Sequence, residues 1–333
     1  MLILKRIFIA GTVLKIDKLM SAADAIKNFL HAGDCLACGG FVTNRRPYGL
    51  VYEVIRQRIG DLYLEGGPSG GDMDMLIGAG LVTAIQISYI ANSGYSQVCR
   101  RFRAGVENGT LLFDDYSLDV HTIAYHGAAL GFPYVPVKNM LGSDMVEKWG
   151  ISEEERKKHP KLPPKKFIIQ EDPFNPGSQL CLVPTPQIDV ALLHAQVASP
   201  DGTCRIIGPQ FQDMDIAMAA KHTIVSCETL VGNDEIRRNP ELNSLTGLCV
   251  DAIVHMPYGA HPSQCYNFYD YDTRFFIEYE KVSRTQEDFD SFLKENVYDC
   301  PSHSEYLDKW RIENLLELKV DPRYGYVPGL KRK

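Results

Sequence analysis

No block of like charges occurs in the sequence, although its 333 residues carry a formal net charge of −7. The basic clusters are short and scattered, at Arg45-Arg46, Arg237-Arg238 and Lys331-Arg332-Lys333. Nucleic-acid-binding proteins usually show a basic stripe or patch, so we expect no nucleic-acid partner. Long apolar runs are also missing, because Lys5-Arg6 interrupts the N-terminal stretch well before the ~20 residues that a membrane span needs. We therefore expect no membrane association.

The motifs of several common cofactor and hydrolase sites are missing as well. The sequence has no G-x-x-x-x-G-K-[ST] phosphate loop, no H-E-x-x-H zinc motif and no G-x-S-x-G nucleophile elbow. The dinucleotide fingerprint G-x-G-x-x-G fails at Gly78–Thr83, where threonine replaces the third glycine late in a helical pattern. His121 and His126 have poor spacing for sharing a metal, so we expect one in the core and one on the surface. We expect no metal and no tightly bound cofactor.

The nine cysteines are mostly embedded in apolar runs, and their number is odd, which is typical of reduced thiols in a core. We therefore expect a cytoplasmic protein, because disulfides are rare in that compartment. Cys35 and Cys38 match C-x-x-C, a spacing found in redox and zinc sites. No second pair follows at zinc-site spacing, and Leu36 and Ala37 continue a buried strand pattern. A structural role for both thiols is therefore favoured over redox or metal chemistry.

From Asp34 onward, short apolar runs alternate with amphipathic stretches of helical period. The runs DCLACGGF, DLYLEGG, TAIQISYI, TLLFDD and PYVPVK predict strands, and the stretches between them predict helices. The alternation resumes in IDVALLHAQVA, IAMAAKHTIVSCE and CVDAIVHMP, and two amphipathic helices are predicted in TQEDFDSFLKENV and HSEYLDKWRIENLLELKV. This pattern predicts the α/β class, with an open, mostly parallel sheet and helices on both faces.

The domain organisation that we predict is simple. Residues 20–320 are expected to form a single α/β domain, interrupted at 144–178 by a solvated excursion that is rich in proline and charge. Residues 1–19 are expected to be an extension, either disordered or produced by an upstream start. Residues 321–333 are expected to be a C-terminal tail.

Four glycine-bearing turns each follow an apolar strand, at residues 39–41, 66–72, 91–94 and 258–262. Parallel α/β sheets bind ligands at the carboxyl ends of their strands, where such loops meet. Glycine also lets backbone N–H groups approach an anion closely. Any one of these loops is most simply a chain turn, but several at one sheet edge favour a ligand site.

Six long stretches of the chain are more specific than any short motif: AGDCLACGGFVTNRRPYGLVYEVIRQRIGDL, GGPSGGDMDMLIGAGLV, YIANSGYSQVCRRFRAG, HAQVASPDGTCRI, FQDMDIAMAAKHTIVSCE and CVDAIVHMPYGAHPSQCYNFYDYD. These stretches closely resemble the alpha (A) subunits of family I CoA-transferases of the glutaconate type. The resemblance runs from about residue 20 to about residue 320.

The resemblance implies a fold and an activity. The fold would be the NagB/RpiA/CoA-transferase-like fold, with the active site at the interface between an alpha subunit of this type and its B subunit. The reaction would transfer CoA between acetyl-CoA and a dicarboxylate such as glutaconate or (R)-2-hydroxyglutarate, as in glutamate fermentation. The catalytic glutamate would belong to the B subunit, and AB pairs would assemble into a heterooctamer. CoA and acyl-CoA would be substrates, so no bound cofactor is implied.

The resemblance also implies roles for residues at the glycine turns. Gly39, Gly40 and Phe41 would form the thioester loop and donate to the oxyanion, with Phe41 excluding water. Ser93 would offer its hydroxyl to the distal carboxylate of the substrate, and Asn92 and Gly94 would shape that loop.

Other residues are weaker candidates for the same cleft. Arg45 and Arg46 would suit a carboxylate or phosphate, but a solvated turn before Pro47 is an equally good interpretation. Three residues after the second strand complete the predicted substrate-binding set: Ser69, Gly70 and Gly71. His261 either orients its loop or satisfies nearby backbone groups, and the structural role is favoured.

Glu107 is a low-ranked candidate for a nucleophile within this chain. It lies at the end of a predicted helix, and Asn108-Gly109 is typical of a helix C-terminus. Related ring-opening CoA-ester hydrolases carry a catalytic acid in this subunit type, so a hydrolase subunit is one alternative function. A non-catalytic subunit that binds acyl-CoA is another.

Overall fold

The computed structural model describes residues 17–330. Its strands are β1 (Cys35–Cys38), β2 (Leu62–Ser69), β3 (Val82–Ile90), β4 (Leu112–Asp115), β5 (Tyr134–Val137), β6 (Ile168–Glu171), β7 (Gln179–Pro184), β8 (Val190–Ala198), β9 (Cys204–Arg205), β10 (His222–Leu230) and β11 (Ala252–His255). Its α-helices are α1 (Ala22–Phe29), α2 (Tyr48–Arg56), α3 (Gly71–Gly78), α4 (Arg100–Glu107), α5 (Leu118–Ala129), α6 (Asp144–Glu147), α7 (Glu153–Arg156), α8 (Asp213–Ala219), α9 (Asn233–Ile236), α10 (Thr273–Val282), α11 (Gln286–Leu293), α12 (His303–Trp310) and α13 (Ile312–Glu317).

The main sheet has eight strands, seven of them in the order β11-β10-β8-β1-β2-β3-β4. These seven are all parallel, and β9 pairs antiparallel with β8. The central strands are buried on both faces, which explains why they are continuous apolar runs in the sequence. The predicted α/β class with an open, mostly parallel sheet is confirmed.

Helices cover both faces of the sheet, because neighbouring side chains along a strand point to opposite sides. Leu36 and Leu64 pack in one core with α2, α3, α10 and α11. Ala37 faces the other way and packs in a second core with Tyr125 of α5 and Ile216 of α8. Each strand residue therefore packs under one of the two helix layers, and its position in the strand decides which one.

The same alternation separates the two thiols of the C-x-x-C stretch. Cys35 packs with Tyr63 and Leu162, whereas Cys38 belongs to the core with α2 and α3. All nine cysteines lie within the described residues, and each is a free thiol. Because Cys35 and Cys38 lie on opposite faces of β1, they cannot share a metal or form a disulfide without refolding the strand.

Most residues of the segment 144–178 are at least partly exposed, but the segment also has secondary structure and buried cations that the sequence does not predict. It contains α6, α7 and β6, and β6 joins β7 and β5 in a separate three-stranded antiparallel sheet. PYVPVK is therefore a strand, but not one of the main sheet. Arg156 and Lys166 are buried, and both form ion pairs with Asp114 of β4. The sequence predicts solvent-facing charges in this segment because it does not show that Arg156 and Lys166 have a buried acidic partner.

The C-terminal helices also differ in detail from the prediction. The sequence pattern missed α10, whose Phe275, Phe276 and Tyr279 are buried. The second predicted amphipathic helix is divided into α12 and α13 at Arg311, which has a left-handed φ of 63°. A non-glycine residue in that conformation ends the regular helix, because it breaks the sequence of right-handed dihedral angles.

The packed chain extends beyond the predicted domain boundaries. Lys18 lies within the predicted extension 1–19, yet it is buried and donates to the carbonyl of Val250 at 2.6 Å. In the predicted tail, the N–H group of Val327 donates to Asp270 at 3.3 Å. Residues 1–16 and 331–333 lie outside the described part of the chain.

Across residues 17–330, no helix combines the length and the apolar character that a membrane crossing requires.

Candidate active site

Three of the glycine turns come together at the carboxyl edge of β1, β2 and β3, as the sequence predicts. The side-chain oxygen of Asn92, after β3, accepts a hydrogen bond of 2.8 Å from the N–H group of Gly71, after β2. The N–H group of Val42, after β1, donates to the carbonyl of Pro68 in β2 at 2.9 Å. The loops are therefore joined to one another, and we call residues 39–46 the β1 loop.

Two buried ion pairs hold the β1 loop. The guanidinium of Arg45 makes a bidentate contact with Asp213, at the start of α8, with distances of 3.0 and 2.6 Å. The guanidinium of Arg46 donates to Asp72, in the first turn of α3, at 2.9 and 2.6 Å. All four side chains are nearly inaccessible to solvent.

Both interpretations of Arg45 and Arg46 from the sequence are therefore corrected. The arginines are not a solvated turn, because they are buried. Their guanidinium groups are also not free for a substrate, because Arg45 further donates to the carbonyls of His194 and Pro209, and Arg46 to those of Cys38 and Gly40. Their role in this arrangement is to position the β1 loop.

Burial and neighbouring charges together set the pKa values of the groups beside this loop. Burial alone would lower the pKa of Arg46, but Asp72 and Cys38 raise it, and the net shift is upward. Burial, together with Asp72, raises the pKa of the Cys38 thiol. Arg46 therefore stays charged and Cys38 stays protonated, so this thiol is not poised as a nucleophile.

The three N–H groups predicted to bind an oxyanion already have acceptors. Gly39 donates to the carbonyl of Leu192 and Phe41 to the carbonyl of Asn44, both at 2.9 Å. Gly40 donates to the carboxylate of Asp213, also at 2.9 Å. An oxyanion at this loop would have to share one of these donors, so the oxyanion role stays a prediction.

Several residues of the β1 loop have left-handed backbone conformations. Gly40 has a φ of 84°, and a Cβ atom there would lie 2.5 Å from the carbonyl oxygen of Asn44. Val42 and Arg45 have φ values of 52° and 51°, which are unusual for residues with a Cβ atom and especially for a β-branched one. Strained backbone of this kind persists only where surrounding contacts enforce it, and here the ion pairs and Gly40 do so.

The predicted substrate-binding residues of the other two loops divide into buried and exposed groups. Ser93 is exposed, and its hydroxyl lies 3.1 Å from the hydroxyl of Tyr89. Gly94 is also exposed, whereas Asn92 is buried. Of the weaker candidates, Ser69 is buried and donates to the sulfur of Met73 at 3.1 Å. Ser93 and Gly94 can therefore contact a ligand directly. Asn92 and Ser69 are buried and support the loops through their hydrogen bonds.

Gly70 and Gly71 permit close approach of the loops. A Cβ atom on Gly70 would lie 2.5 Å from the carbonyl oxygen of Val42, and one on Gly71 would lie 2.6 Å from the hydroxyl of Tyr48. A larger residue at Gly70 would therefore push the loops after β1 and β2 apart, and one at Gly71 would displace the Tyr48 side chain of α2. The two glycines contribute through backbone packing.

Glu107 is the last residue of α4 and lies on the protein surface. Its carboxylate forms an ion pair of 3.0 Å with Arg103, one turn earlier on the same helix, and its side chain is 65% exposed. Gly109 takes the left-handed conformation that ends the helix, with a φ of 68°. The predicted position of Glu107 at the end of a helix is confirmed, and its lack of a catalytic role stays a prediction.

The structure also shows the surroundings of the three histidines that the sequence singled out. His121 is buried and His126 is exposed, as predicted. His261 is buried between the hydroxyl of Tyr306, at 2.7 Å, and the carboxylate of Asp272, at 3.2 Å. Its partners are side chains and not backbone carbonyls, which agrees with a structural role.

One cluster has the composition of a metal site. Ligand atoms of His194, Glu228 and Cys265 all lie within 4.8 Å of one another. Both ring nitrogens of His194 already have partners, the hydroxyl of Ser226 at 2.8 Å and the carboxylate of Glu228 at 2.7 Å. Burial raises the pKa of the Cys265 thiol, which favours the protonated form. We interpret the cluster as a hydrogen-bond network that supports β8 and β10.

Comparison with known proteins identifies the family. The sequence model of the Coenzyme A transferase family matches residues 19–256. The alpha subunit of glutaconate CoA-transferase from Acidaminococcus fermentans is 54% identical over 310 residues, which cover 93% of this chain and 97% of that subunit. The chain belongs to the coenzyme A transferase family. The crystal structure of the Acidaminococcus fermentans enzyme superposes with a TM-score of 0.93 at 53% identity, covering 95% of this chain and all of the matched chain.

Two more distant relatives of the chain are named for other reactions. The corresponding subunit of 3-oxoadipate CoA-transferase from Pseudomonas knackmussii is 31% identical over 88% of this chain and 98% of its own length. The IpdA subunit of a cholesterol ring-cleaving hydrolase from Rhodococcus jostii is 27% identical over 84% of this chain and 92% of its own length. The family membership predicted from the sequence is confirmed.

Sequence reasoning missed two residues that hold the β1 loop of this coenzyme A transferase chain. Asp72 and Asp213 each lie in the first turn of a helix, where carboxylates are common because they interact favourably with the helix dipole. Because an acidic residue at a helix start is common, neither aspartate indicates an arginine partner in the sequence. The one available signal is that two adjacent arginines next to a glycine turn need two acidic partners if they are buried.

Replacing Gly40 with alanine tests the close packing of the β1 loop. A left-handed conformation alone costs an alanine about 1–2 kcal/mol. At Gly40 the added Cβ atom would also overlap backbone oxygens that cannot move aside, so we expect a further loss of about 1–3 kcal/mol in the free energy of unfolding. Urea unfolding of the wild type and the variant measures the difference.

Gly33→Ala is the matched control. Gly33 has nearly the same φ, 83°, but no atom lies within 4 Å of the Cβ position. Equal destabilisation of the two variants would contradict the proposed steric role of Gly40.

Proposed function

We propose that this chain is the alpha subunit of a heteromeric CoA-transferase that moves CoA between acetyl-CoA and a dicarboxylate such as glutaconate or (R)-2-hydroxyglutarate. The observation that carries the proposal is the 54% identity over 93% of the chain to the alpha subunit of a glutaconate CoA-transferase. The family match at residues 19–256 spans the β1 loop, the residues that brace it and the Ser93 loop. We further propose that AB pairs assemble into a heterooctamer.

The chemistry requires a carboxylate nucleophile. The carboxylate attacks the thioester carbonyl of an acyl-CoA, the C–S bond breaks, and an acyl–glutamyl anhydride and CoA thiolate are formed. The thiolate then attacks the glutamyl carbonyl, which releases the first acid and leaves a glutamyl–CoA thioester. The acceptor acid reverses these steps, so the transfer is covalent catalysis.

We infer that the nucleophile comes from the partner B subunit. The carboxylates that contact the β1 loop, those of Asp72 and Asp213, are buried and engaged by Arg46 and Arg45. Glu107 lies on the surface and pairs with Arg103. A nucleophilic carboxylate should instead be partly exposed at a strand-end loop, which is the position that a docked partner can supply.

In this proposal the alpha subunit forms a wall of the shared cavity. Gly39 and Gly40 keep the turn compact, because a Cβ atom on either would overlap neighbouring protein atoms, and Phe41 shields the anhydride from water. The Phe41 ring already packs against Phe211, with ring centroids 5.2 Å apart. Ser93 lies at the neighbouring loop and is exposed, so its hydroxyl is available to the distal carboxylate of the acid.

An apolar patch beside the β1 loop is the surface where we place the B subunit. It consists of five side chains from α5, α8 and the segment before α8, each between 37% and 47% exposed: Leu118, Ile123, Phe211, Met214 and Met218. Its Phe211 contacts Phe41 of the β1 loop. A partner that delivers a carboxylate to this loop must cover the adjoining surface, and methionine and phenylalanine are enriched in the cores of such interfaces.

Phe211→Asp tests this docking surface. A charge at the centre of an apolar interface has to be desolvated without a partner, so we expect at least about tenfold weaker association with the B subunit. The affinity can be measured by analytical ultracentrifugation of separately purified subunits.

Phe174→Asp introduces the same charge at a residue that is 89% exposed and belongs to a different part of the surface. We expect it to leave the affinity unchanged. If a folded Phe211→Asp chain had wild-type affinity for the B subunit, the partner would have to dock elsewhere.

Mapping the covalent intermediate tests the proposed function directly. After incubation of the AB complex with acetyl-CoA and reduction with borohydride, mass spectrometry should find the modified glutamate on the B subunit. Glu107→Gln should leave transfer within about twofold of the wild type, because the ion pair that Glu107 forms with Arg103 is a surface contact worth little.

Two alternatives make different predictions in the same experiment. A ring-opening hydrolase, as the IpdA relative suggests, would lose turnover in Glu107→Gln and would give no modified glutamate on the partner. A non-catalytic subunit that binds acyl-CoA would bind its ligand as an isolated chain and would transfer nothing in any complex. Full transfer activity of the isolated chain would contradict a shared site.

Ser93→Ala tests the assignment of the distal carboxylate. Loss of a hydrogen bond to a charged group costs about 1.5–3 kcal/mol, so we expect the KM for the dicarboxylate to rise about tenfold or more. The KM for acetyl-CoA should not change, because acetate has no second carboxylate. Steady-state kinetics with each substrate varied in turn gives both values.

Ser96→Ala removes a hydroxyl from the same loop, three residues further along, and serves as the control. Equal effects of the two variants on the KM for the dicarboxylate would mean that Ser93 has no specific contact with the acid.

A further inference from the structure

A cleft of about 260 Å³ lies on the α5 face of the main sheet, outside the set of glycine loops at the carboxyl edge. Its floor is formed by Glu65 of β2, Gln86 of β3, Tyr116 and His121. Its walls come from the segment at 160–164 and from the chain between β7 and β8. None of the residues that line it belongs to the β1 loop or to the Ser93 loop.

The polar groups of the floor form one directed chain of hydrogen bonds. The hydroxyl of Tyr116 donates to Gln86 at 3.0 Å, and the amide of Gln86 donates to one carboxylate oxygen of Glu65 at 2.5 Å. The other carboxylate oxygen of Glu65 lies 3.1 Å from Nε2 of His121. The hydrogen-bond donors of the floor are thus directed towards Glu65.

Glu65 pairs with no lysine or arginine in the described chain, and its ring partner in the floor is His121. Nδ1 of His121 is buried and has no hydrogen-bond partner in the described chain. An Nδ1–H group would be unpaired in the interior, which is costly, so hydrogen bonding favours the tautomer that carries its proton on Nε2. Lys161 also lines the cleft, but its ammonium group contacts Asp189. A buried carboxylate in this situation favours a positive charge nearby.

The walls add acceptors and few donors. Six of the sixteen lining residues are prolines, which have a carbonyl but no N–H group: Pro133, Pro160, Pro163, Pro164, Pro184 and Pro186. Thr185, also in the wall, already donates its N–H group to the carbonyl of Pro133 and its hydroxyl to that of Phe132. The prolines therefore make the walls rich in acceptors, and Glu65 is the acidic residue among those that line the cleft.

We propose that this cleft is a binding site for a small organic cation of the primary-ammonium class, with Glu65 as its counter-charge. An ammonium group supplies a positive charge for Glu65 and N–H donors for the acceptors of the walls. It is also small enough for a cleft of about 260 Å³. The anionic dicarboxylates and acyl-CoA of the transfer reaction do not fit, because they are negatively charged and CoA is too large for this volume. The site is thus separate from the proposed transfer site and does not depend on it.

Equilibrium dialysis of the AB complex against radiolabelled methylammonium, at constant ionic strength, tests the proposal. We expect saturable binding of one equivalent for each alpha chain. Glu65→Gln keeps the shape of the side chain and removes its charge, and it should weaken binding by about tenfold or more. Glu53→Gln is the matched control, because Glu53 is another buried glutamate and is paired with Arg56 in α2, away from the cleft.

A second variant keeps the test decisive if Glu65→Gln does not fold. Ala124 lines the cleft from α5, and Ala124→Met narrows it without changing any charge, so it should also weaken methylammonium binding by about tenfold or more. Competition with unlabelled acetate should have no effect. The proposal is overturned if the wild-type complex shows no saturable binding of methylammonium, if Glu65→Gln binds it as the wild type does, or if acetate displaces it.

Discussion

The pairing of Arg45 with Asp213 and of Arg46 with Asp72 is the constraint on which the candidate transfer site depends. Arg45 is held by α8 and Arg46 by α3. Together the two ion pairs fix the β1 loop in a backbone conformation that it would not adopt alone. Removing one member of a buried ion pair leaves an uncompensated charge and costs about 3–5 kcal/mol. That penalty keeps the loop rigid, and a rigid loop is what a reactive anhydride requires of its surroundings.

This arrangement also explains why the proposed site is divided between two chains. Carboxylates that brace a loop must be buried and paired, whereas a carboxylate that attacks a thioester must be accessible and unpaired. The acidic residues that contact the β1 loop, Asp72 and Asp213, meet the first requirement, so they cannot also meet the second. Supplying the nucleophile from another chain removes the conflict, and the exposed apolar patch around Phe211 next to the loop is consistent with such a partner.

The sequence predicted the parallel sheet and the meeting of its glycine loops because both follow from local patterns. An apolar run of strand length followed by Gly39-Gly40 identifies a strand end without knowledge of its neighbours. The burial and pairing of Arg45 and Arg46 could not be predicted in the same way, since their partners lie 168 and 26 residues away in the chain. Their position before Pro47 suits an exposed turn equally well, and burial is decided only when α3 and α8 pack.

The register of the sheet links the proposed cleft to the segment whose packing the sequence missed. Glu65, Gln86 and Asp114 are paired across β2, β3 and β4, so three polar side chains form one row in a sheet that helices cover on both faces. Each needs a partner in the interior. Arg156 and Lys166 from the segment 144–178 neutralise Asp114, whereas Glu65 is contacted by the amide of Gln86 and the ring of His121 and pairs with no lysine or arginine in the described chain. The folded segment therefore completes one end of this polar row and leaves the negative charge of Glu65 at the floor of the cleft that it encloses.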